Sequence, residues 1–351
     1  MTYRITSLAD CLDHGFDTVI DVRAPAEFAE DHMPGAINLP VLDDAERARV
    51  GTLYKQVSTF TARKVGAALV ARNAATHIEG PLAQYDGGWR PLVYCWRGGQ
   101  RSNSFGSILA QIGWRVAVVE GGYRSYRGAV KALLYDLPMA APVVLLDGNT
   151  GTAKTAILHK VAARGVQVID LEGLANHRGS VFGAMGTQPA QKGFETALAT
   201  HIARLDPARP VLIEAESSKV GARIVPPMLW AAMCGAPRIR LDVPVAARAR
   251  YLVGAYDDIV ADGARLARVL DALRSHQGAA RVAQWQQMAA EGAHEALAGE
   301  LILHHYDTRY GHQRGGATAA TTLAIDALDD AGQERAADLI VALLDAGLSP
   351  A

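Results

Sequence analysis

The chain of 351 residues is short of several features that would fix its class at once. It has three cysteines, Cys11, Cys95 and Cys234, far apart and in no Cys-x2-Cys or Cys/His spacing, which argues against a disulfide framework and against structural zinc. No run approaches the ~20 apolar residues that a bilayer-spanning helix needs. Met1-Thr2-Tyr3-Arg4-Ile5 lacks the apolar core of a signal peptide. A cytoplasmic protein with no membrane partner is therefore expected. Neither sign of charge dominates: 35 Lys and Arg stand against 36 Asp and Glu, a net charge of −1. Global charge thus gives no sign of nucleic-acid binding and leaves only a local basic patch open. There is no internal repeat and no low-complexity tract. Half the residues are apolar, enough for sizeable cores in two domains or three.

What is present is organised around Val93-Tyr94-Cys95-Trp96-Arg97-Gly98-Gly99-Gln100-Arg101-Ser102. The apolar run from Pro91 reads as a buried strand with Cys95 at its end. Ser102 to Ile112 reads as a helix, with Phe105, Ile108, Leu109 and Ile112 at helical spacing. Strand, tight loop and helix make an anion cradle, because loop amides and the helix N-terminus converge on one spot. A cysteine there is shifted toward thiolate, the reactive form. Gly98 and Gly99 let the loop curl, and Arg97 and Arg101 are the candidate anion-binding side chains. The plainer reading is a structural cysteine beside a glycine turn.

Around this loop, strands alternate with helices: strands at 18–23, 91–95 and 116–119, a turn followed by a short strand within 32–40, and helices at 24–28, 43–50, 64–72 and 102–112. That pattern indicates a parallel sheet covered on both faces, with active groups at the carboxyl ends of its strands. Residues 131–142 carry two prolines and read as a linker.

A second strand, Val143-Val144-Leu145-Leu146-Asp147, runs into Gly148-Asn149-Thr150-Gly151-Thr152-Ala153-Lys154-Thr155 and a helix. This approaches the phosphate-binding pattern G-x-x-x-x-G-K-[ST], with Ala153 where the pattern has glycine. Gly148, Asn149, Thr150, Gly151, Thr152, Lys154 and Thr155 are the candidate diphosphate-binding residues; a plain glycine-rich turn is the alternative. A third apolar strand ends in Glu214-Ala215-Glu216, whose two acids share one face. They occupy the place of the acidic residue of a P-loop fold, as candidate support toward Mg²⁺ or a nucleobase, or else form an ordinary solvated strand end. His177 and Arg178, beside Gly179 and Ser180, suit a diphosphate or an RNA phosphate, or else belong to a solvated loop. Beyond Leu241 the chain reads as mostly helical, with helices at 245–260, 264–275, 279–291 and 330–344. Arg248, Arg250, Arg265, Arg268, Arg274 and Arg281 read as solvated helix faces.

Asp21-Val22-Arg23, His32-Met33-Pro34-Gly35-Ala36-Ile37-Asn38, the Cys95 loop and Gly121-Gly122-Tyr123 resemble the rhodanese domain, in order. That resemblance implies sulfur or selenium carried on Cys95. A Cys-x5-Arg loop also occurs in tyrosine phosphatases, but the flanking segments favour the rhodanese match. With Leu174-Ala175-Asn176-His177-Arg178-Gly179-Ser180-Val181-Phe182-Gly183, Val50-Gly51-Thr52-Leu53-Tyr54-Lys55-Gln56 and Glu214-Ala215-Glu216-Ser217-Ser218-Lys219-Val220-Gly221, the chain resembles the bacterial tRNA 2-selenouridine synthases. The likeness weakens after about Tyr256, and Ala153 is its main departure.

The expected fold class is α/β. A rhodanese-like domain (1–130) and a linker (131–142) precede a P-loop NTPase-like domain (143–240) and a mainly helical part packed with it (241–351). The resemblance implies a tRNA substrate with a wobble 2-thiouridine, and selenophosphate and geranyl diphosphate as co-substrates. It also implies replacement of sulfur by selenium through an S-geranyl intermediate. Mg²⁺ is an expectation of P-loop chemistry, and no metal ligand set is read from the sequence. Two other classes stay open: a sulfurtransferase with an ATP-using domain acting on tRNA, and a nucleotide-sensing regulatory module.

Overall fold

A computed structural model describes residues 1–178, 183, 185–308 and 321–347. The chain forms two compact units, one of residues 1–138 and 189–204, the other of 139–188 and 205–351. This differs from the expected division at 131–142. The helix Tyr123–Lys131 runs on as a wider, π-helical turn over Ala132–Asp136, so most of the expected linker is wound. The helix Gln191–Ile202, expected within the P-loop domain, packs instead in the first unit. Tyr126 donates to Thr196 at 3.0 Å, Tyr135 donates to Glu195 at 2.8 Å, and Arg127 pairs with Glu195.

The first unit holds a parallel sheet of β1 (Thr2–Tyr3), β2 (Thr18–Asp21), β3 (Ile37–Asn38), β4 (Pro91–Tyr94) and β5 (Ala117–Val119), in the order β1-β5-β4-β2-β3. Every residue of β4 is buried. It is an unbroken apolar run rather than an alternating one, because a parallel sheet is covered on both faces. The helix Gln100–Ile112 buries Ser102, Phe105, Gly106 and Leu109, a single stripe at helical spacing, and so lies over the sheet.

The second unit repeats the plan. Its parallel sheet contains β6 (Val143–Gly148), β7 (Gln167–Ile169), β8 (Val211–Glu214), β11 (Arg238–Asp242) and β12 (Thr321–Ala324), in the order β12-β11-β6-β8-β7. A short hairpin of β9 (Lys219–Val220) and β10 (Arg223–Ile224) stands apart from it. All six residues of β6 are buried, and the helix Lys154–Ala163 covers them with Ile157, Leu158 and Val161. The C-terminal part is mainly helical as expected, but β12 returns from it to the sheet edge. No helix among the described residues is long and apolar enough to cross a membrane.

Candidate active sites of the two units

The loop after β4 closes on its own sulfur. Cys95 is 3 % exposed, and its Sγ accepts from the Ser102 hydroxyl at 3.1 Å and the Gly99 amide at 3.3 Å. The Arg97 and Ser102 amides add to these donors. Burial pushes the thiol pKa up, but the four donors outweigh it and hold the thiol below its ordinary value. The loop keeps this shape by close backbone contact. A Cβ on Gly122, at φ 61°, would lie 2.2 Å from the Cys95 carbonyl oxygen, so only glycine fits there.

The segments quoted from the sequence build the frame of this loop. Arg23 and Asp21 form a buried ion pair, and Arg23 also donates to the Asp31 carbonyl at 2.6 Å. Its guanidinium lies 4.0 Å from the centroid of the Tyr123 ring, which stacks on Trp96. Asn38 donates to the Asp21 and Arg23 carbonyls, and the Met33 amide donates to the Tyr94 hydroxyl. The Tyr123 amide donates to the Cys95 carbonyl at 2.8 Å. These residues hold the cysteine's backbone; they do not touch its sulfur.

The two expected anion-binding arginines differ. Arg97 presents its amide to the sulfur and an exposed side chain to solvent. Arg101 donates to Glu27 at 2.9 Å, and Arg47 meets the same carboxylate at 2.9 Å. One carboxylate between two guanidiniums leaves a positive excess beside the loop. Ser102 and Glu27 were not singled out in the sequence. In the sequence Ser102 reads only as a helix start; the first turn of the helix Gln100–Ile112 is what brings its hydroxyl back to the sulfur.

In the second unit Gly148 to Thr155 forms a strand-loop-helix turn over β6. Lys154 Nζ donates to the Gly148 carbonyl at 3.0 Å, and the Thr152 hydroxyl donates to the Asn149 carbonyl. Ala153 adopts φ 57° and ψ 28°, the left-handed conformation that the glycine of the pattern adopts without strain. A Cβ on Gly151, at φ 85°, would lie 2.9 Å from the Leu252 side chain. Thr150 to Thr155 line a cavity of about 440 Å³, which Glu172, Arg178, Glu216, Tyr251 and Tyr256 also face.

Behind the loop lies an acid cluster. The Thr155 hydroxyl donates to Glu172 at 2.9 Å, the Glu172 amide donates to Glu214 at 3.4 Å, and Glu172 and Glu216 are hydrogen-bonded to each other. Glu214 is fully buried, and its Oε1 finds no hydrogen-bond partner among the described residues. Burial and the neighbouring carboxylates hold Glu214 and Glu216 well above the usual carboxylate range. Burial also raises Glu172, with Lys154 opposing it. A bond between two carboxyl groups needs a proton between them, which lowers the charge a cation would meet. Among the described residues no group of three metal-ligating side chains gathers.

A buried clamp holds the loop from the other side. Arg248 donates through Nε to the Thr150 carbonyl at 2.9 Å and through both terminal nitrogens to Asp307, at 2.7 and 2.9 Å. Asn149 donates to Asp307 as well, at 3.0 Å. Arg248 was expected on a solvated helix face, yet it is 3 % exposed. Its flanking alanines give no amphipathic signal, and its partner Asp307 is remote in sequence. Arg178 pairs with Asp258 at 3.0 Å and lies over the Tyr256 ring. His177 donates its amide to the Glu172 carbonyl, and burial lowers its pKa. The neighbouring Gly179 to Phe182 lie outside the described residues.

A thiol cradled after the central strand of one parallel sheet, with a phosphate loop after the central strand of the next, defines a rhodanese-type domain joined to a P-loop domain. A family model described as a rhodanese-like domain matches residues 5–129, and one described as the tRNA 2-selenouridine synthase AAA domain matches residues 141–268. The chain belongs to the tRNA 2-selenouridine synthase family. It is 33 % identical over 330 residues to the protein of that name from Chromohalobacter salexigens, covering 84 % of this chain and 87 % of the relative. It is 34 % identical to the Cupriavidus necator protein of the same name, covering 84 % and 88 %. The Verminephrobacter eiseniae protein, again so named, is 35 % identical over 84 % of this chain and 88 % of its own.

Proposed function

We propose that this chain replaces the C2 sulfur of a wobble 2-thiouridine in tRNA by selenium from selenophosphate, by way of an S-geranyl intermediate. The observation that carries the reading is the pairing, in one chain of this family, of a donor-stabilised thiol with a lysine-bearing phosphate loop. A thiocarbonyl sulfur is a poor leaving group, and alkylation turns it into a leaving thiol. In the first stage the sulfur lone pair attacks C1 of geranyl diphosphate. The C1–O bond breaks with its electrons on diphosphate, and the base loses its N3 proton to solvent. Lys154 and the amides of Gly148 to Thr155 stabilise the departing diphosphate, charge that grows only as the bond breaks. In the second stage the selenium of selenophosphate adds at C2, geranylthiol departs with a proton, and water cleaves the P–Se bond, releasing phosphate and leaving the C2 selenocarbonyl. Cys95 holds and delivers that selenium donor without forming an S–Se bond, and the positive excess of Arg47, Arg101 and Glu27 draws the anionic donor. No step in this scheme runs through Mg²⁺.

The test is incubation of purified protein with a 2-thiouridine tRNA and geranyl diphosphate, without ATP, followed by mass analysis of the nucleosides. S-geranyl-2-thiouridine is the expected product. No geranylation, together with selenation that requires ATP hydrolysis, would favour an ATP-using sulfurtransferase and end this reading.

A further inference from the structure

The helices Asp44–Gln56 and Thr59–Glu79 form a hairpin on the first unit that, beyond Arg47, the proposed reaction does not use. Residues 47–78 carry Arg47, Arg49, Lys55, Arg63, Lys64 and Arg72 and no Asp or Glu, although 36 acids in 351 residues would place about three in such a stretch. All six cations are exposed, and among the described residues only Arg47 has a carboxylate partner. The acids at the start of the hairpin are engaged locally: Asp43 and Glu46 close the capping box of the first helix, and Glu46 also accepts from Asn73. At the tip Tyr54, Val57 and Phe60 are 52, 68 and 74 % exposed. The helix Asp44–Gln56 has no buried residue, and its half-buried Val50 packs on the core of the unit while Tyr54 points to solvent. Grouped apolar side chains left in solvent mark a contact surface.

The chemistry of the tip selects the partner. Cations without neighbouring acids attract phosphates, and exposed aromatic rings stack on unpaired bases. An RNA loop on a stem offers both, because its bases can be splayed out while the stem presents a phosphate backbone. A second copy of this chain would bring the same uncompensated cations against their like and be repelled. At its root the hairpin meets the thiol loop: Arg47 pairs with Glu27, and Glu27 pairs with Arg101. The first helix, of 13 residues, carries the basic surface about 20 Å outward from there.

We propose that this hairpin docks the anticodon arm of the tRNA, its cations on the phosphates and Tyr54 and Phe60 stacked on unpaired bases of the loop. The arm is thereby held on the unit that carries Cys95. The proposal rests on the functional reading above and supplies the surface that presents its RNA substrate.

The experiment measures binding of a 2-thiouridine anticodon stem-loop to the full chain by fluorescence anisotropy over a series of salt concentrations. Arg63→Gln combined with Lys64→Gln should weaken binding at least about tenfold at about 0.1 M salt and make the slope of log Kd against log salt shallower by about one to two. Phe60→Ala should weaken it at least about fivefold and leave the slope unchanged, because a stacked ring releases no counterions. Arg335→Gln, at an exposed cation of the helix Asp330–Asp345 in the second unit, should change neither. The substituted side chains stand in solvent, so the variants keep the fold. Unchanged binding in either tip variant, or an equal loss in Arg335→Gln, would overturn the inference and leave the functional reading standing. So would a wild-type dimer that Phe60→Ala dissociates with RNA binding intact, since the tip would then be a self-contact. Wild-type protein that binds no anticodon stem-loop would overturn both.

Discussion

The working loops of the two units follow the third strand of a five-stranded parallel sheet and lead into a helix, yet they treat their anions differently. In the first unit the anion belongs to the chain. Four donors converge on Cys95 Sγ, and the backbone is packed so closely that Gly122 admits no side chain. In the second unit the anion of the proposed function comes from outside. Lys154 donates to the Gly148 carbonyl and is drawn to the Glu172 carboxylate, and on that reading a diphosphate would give it a further charge-assisted contact. Correspondingly, that loop accepts Ala153 in a left-handed conformation, with the residue buried in the core of the second unit. The loop that holds its own sulfur is packed backbone against backbone at Gly98 and Gly122, whereas the loop proposed to take a ligand is braced from behind by Arg248 and Asp307.

The comparison breaks most sharply at the charged groups. Lys154→Ala removes the only side-chain cation of the phosphate loop itself and should lower geranylation at least about a hundredfold, the scale of losing one transition-state donor; nucleoside analysis of thiolated tRNA reads it. A smaller effect is expected at Ser102. A hydrogen bond to a charged group contributes about 1.5–3 kcal/mol, and one pKa unit corresponds to about 1.4 kcal/mol. Ser102→Ala should therefore raise the Cys95 pKa by about one to two units. Because the wild-type value is depressed, thiolate persists to lower pH in the wild type and is lost at higher pH in the variant. The pH dependence of Cys95 alkylation measures the difference. The smallest effect is at Ala153. Glycine there would relieve strain of about 1–2 kcal/mol. It would also lose a buried methyl of about 0.8 kcal/mol and loosen the unfolded chain by about 0.4–1 kcal/mol. These nearly cancel, so denaturant titration of Ala153→Gly should shift stability by less than about 1 kcal/mol.

Much of this was legible because it is local. The run Pro91 to Tyr94, the stripe of Phe105 and Leu109, and the pattern Gly148 to Thr155 each state their element within a dozen residues, and the structure places a strand, a helix and a phosphate-loop turn there. What the sequence concealed depends on partners far along the chain. Glu172 lay in a stretch read for its donors, while its role as an acceptor for Thr155 appears only once β8 brings Glu214 beside it. Arg248 finds Asp307 only across a folded helix pair. The transfer of the helix Gln191–Ile202 to the first unit rests on Tyr126, Arg127 and Tyr135, well over fifty residues earlier.

The central claim is that the two loops divide one reaction, and a tRNA already carrying S-geranyl-2-thiouridine tests it most directly. Supplied with selenophosphate, Lys154→Ala should convert this tRNA to the 2-selenouridine product at a rate within about threefold of wild type, because its missing step has been done in advance. Cys95→Ala should form none, although it still geranylates thiolated tRNA. If Lys154→Ala is as inactive on the geranylated tRNA as Cys95→Ala, or if Cys95→Ala has also lost geranylation, the loops act as a single site and the division of labour is wrong.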